Sequence, residues 1–261
     1  MSGPNNSSKH HASRGRWLEG ILVLAMVLAP IVLAVIIMLT GLAAIAGWQT
    51  VHGMAAKLPT AASTRLYGML AYAVACWIAV AAVWLWSTRQ GLRSDVFVFQ
   101  RMSWSELIAS VATFIVAMYG VPAATHWLTY MTGGRSQDVR IDFHDAQSVL
   151  TYIFLFVITA PVCEEILYRG LLVAWLRRAG WKASTILVAG SLLFGANHYL
   201  PLGSFVWSAA MVGLGAILYA LRLRYHSLSP GWLTHVLFNA QPFLIHPLIW
   251  WLPSGLHPGY L

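Results

Sequence analysis

Long apolar stretches separated by short polar segments dominate this chain. Stretches that could cross a bilayer as a helix, which needs about 20 apolar residues, recur along its whole length. The predicted spans are residues 18–47, 66–88, 105–131, 149–176, 183–200, 204–221 and 230–252. Pro242 and Pro247 interrupt the last span, so we expect it to be kinked or split. The pattern predicts an all-α fold, a polytopic bundle of about seven transmembrane helices.

The first residues lack this apolar pattern. Residues 1–16 are polar and rich in Ser, Asn and His, which predicts a flexible cytoplasmic tail. The apolar run that follows is too long for the core of a signal peptide. We therefore expect two regions, a tail of residues 1–16 and a transmembrane domain of residues 17–261.

Composition supports a membrane protein and excludes several other classes. Of the 261 residues, 59% are hydrophobic and 9% are charged, which is too few charges for the surface of a soluble globule. The net charge is +8, but the basic residues are scattered between apolar stretches, so we expect no nucleic-acid partner. The expected partner is the lipid bilayer, and the expected location is a bacterial inner (cell) membrane, which the protein crosses several times.

The basic residues also predict the orientation. With the N-terminus inside, eleven of the 16 Lys and Arg fall on inner segments and four on outer segments, while Arg169 lies within a span. Because basic residues are enriched on the cytoplasmic side, this asymmetry predicts a cytoplasmic N-terminus.

Three charges stand close together inside the fourth predicted span. They are Glu164, Glu165 and Arg169, and each costs about 2.5–3.5 kcal/mol at the bilayer centre. The i,i+4 spacing of Glu165 and Arg169 predicts an ion pair on one helix face. Glu164 points about 100° away and has no such partner in its own helix. In a low-dielectric cavity inside the membrane, the Glu164 carboxyl group is a candidate general base.

Two later spans carry further polar groups. His198 follows Phe194 by one helical turn, and His235 precedes Asn239 by one turn. Taken alone, His198 fits a buried core histidine, and the other pair fits helix–helix hydrogen bonding.

Depth in the membrane agrees for two of these groups and not for the third. Counted from the predicted inner edge, Glu164 and His198 lie roughly 21 and 24 Å deep at 1.5 Å per residue. His235 is shallower. To reach the same level, residues 227–231 would have to enter as non-helical backbone, which is allowed only in a protein or water cavity.

Together the three polar motifs resemble those of the CAAX protease and bacteriocin-processing (CPBP, or Abi) family of intramembrane endopeptidases. That family has Glu-Glu-x-x-x-Arg, then Phe-x-x-x-His, then His-x-x-x-Asn. The matching residues here are Glu164, Glu165, Arg169, Phe194, His198, His235 and Asn239. Each motif is weak alone, but their order on three membrane helices is specific. The likeness covers about residues 110–245 and implies a protease-like core at about 105–252.

The resemblance implies that a peptide bond in or near the membrane is hydrolysed at a site between the fourth, fifth and seventh helices. Glu164 and His198 would activate a water molecule. His235 and Asn239 would hold the oxyanion of the tetrahedral intermediate or help to position the water. The charged pair of the first motif would orient the site. The substrate would be a peptide or protein, either lipidated or anchored in the membrane.

Several alternatives stay open. The expected site has no cofactor, but Glu164, His198 and His235 could instead hold zinc with one open position, although no His-Glu-x-x-His motif is present. A non-catalytic scaffold or bacteriocin-immunity-type protein of the same fold is a second alternative. A proton-coupled transporter is a third, since buried Glu and His also carry protons, but no internal repeat supports it.

Overall fold

The computed structural model describes residues 6–52, 54, 60–133, 141, 143–199 and 203–244. This part of the chain is helical and contains no strand, which confirms the predicted all-α class. The main helices are α1 (Asn6–Val51), α2 (Ala61–Arg89), α3 (Arg93–Val96), α4 (Trp104–Thr132), α5 (Ala146–Arg178), α6 (Ala183–Asn197), α7 (Phe205–Tyr225) and α8 (Ser229–Asn239).

Five of the described helices are long and apolar enough to cross a membrane: α1, α2, α4, α5 and α7. They coincide with five of the seven predicted spans. The predicted fifth span corresponds to α6, a shorter apolar helix. The predicted seventh span corresponds to α8, and residues 245–252 of that span lie outside the described residues. The count of seven and the cytoplasmic N-terminus therefore stay predictions.

The first helix begins earlier than the apolar pattern. Its backbone is helical from Asn6, so most of the segment predicted as a tail continues α1. The domain limits at residues 16 and 17, and the cytoplasmic location of the tail, stay predictions.

Local sequence explains where two of the spanning helices begin. Ser103 and Glu106 form a capping box, in which the Ser103 hydroxyl accepts from the backbone N–H of Glu106 and the Glu106 carboxylate accepts from that of Ser103. Asp145 caps α5 by accepting from the N–H groups of Gln147 and Ser148. These caps bind backbone donors that a helix start leaves without partners.

Large aromatic side chains stand exposed near both ends of two apolar spans, Trp17–Val51 of α1 and Trp104–Thr132 of α4. On α1 they are Trp17 and Trp48, and on α4 they are Trp104 and Tyr130. A ring that is partly apolar and partly polar favours the membrane–water interface. Their placement fits α1 and α4 crossing a bilayer.

The helix that carries the charged motif is not a regular α-helix. Within α5, Ile153–Thr159 and Glu165–Leu172 are wound as π-helix, on either side of a short α-helical turn that contains Pro161. Proline removes one helix donor and crowds the preceding turn, and π segments occur frequently at functional sites. The second π segment begins at Glu165.

The described residues form two compact units. The first comprises the described residues within Met1–Val98 and Cys163–Gly190. In it α1 packs against α2, and the π segment Glu165–Leu172 contacts α1, α2 and α3. All eight residues of that segment are buried, so its charges are held by protein rather than lipid.

The second unit comprises the described residues within Phe99–Val162 and Ser191–Leu261. Here α4 packs against α7 and α8, α7 packs against α8, and α8 also contacts the first π segment of α5. Gly195 of α6 lies so close to α7 that a side chain there would meet the Ser208 carbonyl at 2.7 Å. Ser208 in turn donates its hydroxyl to the Gly195 carbonyl at 2.6 Å.

Candidate active site

The charged pair predicted from i,i+4 spacing is present. Arg169 Nη1 lies 3.4 Å from Glu165 Oε1, and both side chains have no exposed surface. Gly170 follows directly, and a side chain at this position would collide with the backbone carbonyl of Val96 on α3. The chain thus uses a glycine to bring α3 against the helix that carries the pair.

Glu164 lies beside this pair and is 8% exposed. Its carboxylate Oε1 accepts a hydrogen bond from the Tyr72 hydroxyl on α2, at 3.4 Å. The neighbouring Cys163 donates its thiol to the Cys76 carbonyl at 3.6 Å. Cys76 and Cys163 are both buried and free, so they form no disulfide.

Small side chains let α2 approach the charged motif. The buried residues on this part of α2 are Ala71, Ala73, Ala75, Cys76 and Ala79. Small residues at a helix interface allow close backbone approach in a membrane protein. Tyr72 and Cys76 are four residues apart and share one face of the helix, which explains why they meet consecutive residues of α5.

His198 follows the last residue of α6, and the end of that helix fixes its ring. The His198 N–H bonds to the Gly195 carbonyl at 3.0 Å, and His198 Nδ1 lies 2.7 Å from the Phe194 carbonyl. Because a carbonyl only accepts, Nδ1 carries the proton in this contact. In the neutral ring the lone pair is then on Nε2, the nitrogen whose chemistry permits proton transfer or metal binding.

Phe194 lies close to both motif histidines. Its ring centroid is 4.5 Å from that of His198 and 6.1 Å from that of His235. Gly215 on α7 makes room for this ring, because a side chain there would come within 3.1 Å of it. The Phe-x-x-x-His motif thus supplies a packing surface shared by the two imidazoles.

His235 is almost fully buried, at 2% exposed, in the second turn of α8. That helix begins at Ser229, directly after a short connection from α7 in which Ser227 and Leu228 are buried. The expectation that residues 227–231 are non-helical is wrong for residues 229–231, which form the first turn of α8.

Two hydroxyl groups anchor the same helix within its unit. The Ser229 hydroxyl donates to the Gln100 carbonyl at 2.7 Å, and it accepts from the Gln100 N–H at 2.9 Å. Thr234 lies 3.1 Å from both the Thr113 hydroxyl and the Ser110 carbonyl. These contacts fix α8 against α4 and the segment before it, and so fix His235.

Asn239 ties α8 to the first π segment of α5. Its Nδ2 donates to the Phe156 carbonyl at 2.7 Å, and the Tyr152 hydroxyl donates to the Asn239 backbone carbonyl at 3.2 Å. A side chain that inserts into the hydrogen-bond ladder of a helix is one of the known causes of an irregular helix. One hydrogen of the Asn239 amide is used in this way.

The structure thus groups the predicted residues in two sets. Glu164, Glu165 and Arg169 lie in the first unit, and His198, His235 and Asn239 lie in the second. Tyr72 was missed by sequence reasoning, because a lone tyrosine in an apolar helix carries no local signal and its partner is 92 residues away. Within neither unit do three described His, Cys, Asp or Glu side chains form a group that could hold a metal.

Comparison with known proteins bears on the segment that carries all three motifs. No curated protein and no solved structure matches the chain. Residues 146–241 match a protein-family model described as Rce1-like, type II CAAX prenyl endopeptidase. The match includes α5 to α8 and every predicted site residue. The match over residues 146–241 confirms the resemblance seen in the three motifs, and together with the apolar helices it indicates an integral membrane protein.

Proposed function

We propose that the protein is an intramembrane endopeptidase of the glutamic type. The observation that carries this proposal is the family match over residues 146–241, which contains the three motifs in order. The burial of Glu164 and the fixed tautomer of His198 support it, because peptide hydrolysis needs a general base and a positioned water.

The proposed reaction is hydrolysis of one peptide bond. Glu164 takes a proton from a water that His198 Nε2 helps to orient, and the water oxygen attacks the carbonyl carbon. His235 and Asn239 stabilise the oxyanion of the tetrahedral intermediate. The C–N bond then breaks, and the proton held by Glu164 passes to the leaving amine. Glu165 and Arg169 position Glu164 through the helix that the three residues share.

The test is cleavage of a defined peptide by the purified full chain in liposomes. We expect a prenylated peptide ending in Cys-a-a-X to lose its last three residues, as seen by mass spectrometry. Substitution of Glu164, which is argued below, supplies the inactive control. No cleavage of prenylated CAAX peptides, of leader peptides or of membrane-protein tails would favour the non-catalytic scaffold.

A chelator separates the glutamic reaction from the zinc alternative. We propose the metal-free form because the sequence has no His-Glu-x-x-His motif. Turnover should therefore stay within about twofold of the untreated value in excess 1,10-phenanthroline, because the proposed base and oxyanion donors are all side chains. Loss of turnover that zinc restores, with the non-chelating 1,7-phenanthroline as control, would instead support a zinc site at Glu164, His198 and His235.

A further inference from the structure

We infer that Tyr72 of α2 is a positioning residue for the Glu164 carboxylate, an inference that rests on the proposed role of Glu164 as general base. Tyr72 lies outside the segment that matches the family, so the motifs do not identify it. Its hydroxyl donates to Glu164 Oε1. In the first unit this hydroxyl reaches the carboxylate from a different helix.

The packing around Tyr72 fixes the direction of this hydrogen bond. One turn further along α2, the Cys76 carbonyl accepts from the Cys163 thiol, so two consecutive residues of α5 are held by one face of α2. The small buried side chains of α2 keep the two backbones close. Tyr72 is the large polar side chain on this otherwise small-residue face, and its reach is set by the rigid ring.

A phenol that donates to one carboxylate oxygen does two things for a general base. It restricts rotation of the carboxylate, so that the other oxygen is held in one direction, and it stabilises the negative charge in surroundings of low dielectric. The O···O distance of 3.4 Å is long for such a bond. Hydrogen bonds of catalytic groups often shorten only when substrate is bound, so we expect this one to act mainly in the turnover step.

The test is Tyr72→Phe in the full-length protein, assayed on the peptide that the wild type cleaves. This change removes one oxygen and keeps the ring that packs on α5. We expect kcat to fall about tenfold with KM unchanged, as for loss of a hydrogen bond to a charged group. The melting temperature should match that of the wild type. Tyr67→Phe is the matched control, because Tyr67 lies on the same helix and is 44% exposed, and its kcat should not change.

Three results would overturn the inference. The first is an unchanged kcat in Tyr72→Phe, and the second is a rise in KM without a fall in kcat. The third is a fall in kcat that is equalled by the fall in Tyr67→Phe or that is accompanied by loss of the folded protein. Glu164→Gln distinguishes this failure from failure of the proposed function. An inactive Glu164→Gln with a fully active Tyr72→Phe rejects the role of Tyr72 alone, whereas an active Glu164→Gln rejects the general base and Tyr72 with it.

Discussion

We expect replacement of Glu164 with Ala to abolish peptide cleavage and to leave a folded membrane protein. A general base contributes about 10²–10⁴-fold to the rate, so kcat/KM should fall by at least about 100-fold. The change leaves the Tyr72 hydroxyl without this acceptor, but the O···O distance of 3.4 Å is long for a hydrogen bond, so stability should change little. The measurement is turnover of the prenylated peptide in liposomes, together with the melting temperature in detergent.

A matched control shows whether the loss is specific. Glu19 lies on α1, in the same unit as Glu164, and none of the motifs includes it. Glu19→Ala should keep wild-type turnover. Normal turnover by Glu164→Ala would remove the glutamic mechanism, and His198→Ala would then show whether the histidine acts without it.

We expect replacement of Glu165 with Gln to lower stability as well as activity. Glu165 and Arg169 form an ion pair with no exposed surface, and neutralising one member leaves a cation buried without its counter-charge. Breaking such a pair costs about 3–5 kcal/mol, which lowers the melting temperature by roughly 6–20 °C in a chain of this size. Turnover should fall too, because the π segment that begins at Glu165 follows Glu164 directly.

A double variant separates the ion pair from the volume of its side chains. Replacing both residues with apolar side chains of similar size, as in Glu165→Leu with Arg169→Met, should recover most of the lost stability, because a buried pair is often replaceable in this way. Activity should not return with it. A Glu165→Gln variant as stable as the wild type would show that the pair does not hold this segment.

The spanning helices and one contact of the site follow from local sequence. Runs of apolar residues in α1, α2, α4, α5 and α7 predict five helices long enough to cross a membrane, which the structure has. The spacing of Glu165 and Arg169 predicts their ion pair, because side chains four residues apart on one helix meet whatever surrounds it. The π winding changes the number of residues per turn, and the pair still forms at 3.4 Å.

The order of the three motifs predicted the resemblance to the family without any structure, and the match over residues 146–241 confirms it.

Other features depended on partners far away in the chain. Nothing in the local sequence indicated that π segments flank Pro161 or that Asn239 donates to the Phe156 carbonyl. Gly170 carried no sign that it lies against Val96.

The sequence alone therefore determined the apolar spans, the ion pair on one helix and the motif residues, since each depends on composition or on spacing of a few residues. The tertiary structure decided which neighbours those residues have: Tyr72 on Glu164, Phe194 near two imidazoles, and Asn239 on the first π segment. The physical reason is that periodicity fixes the face of a helix on which a side chain lies. The rotation and register of the neighbouring helix, set by packing of many small side chains, decide what that face meets.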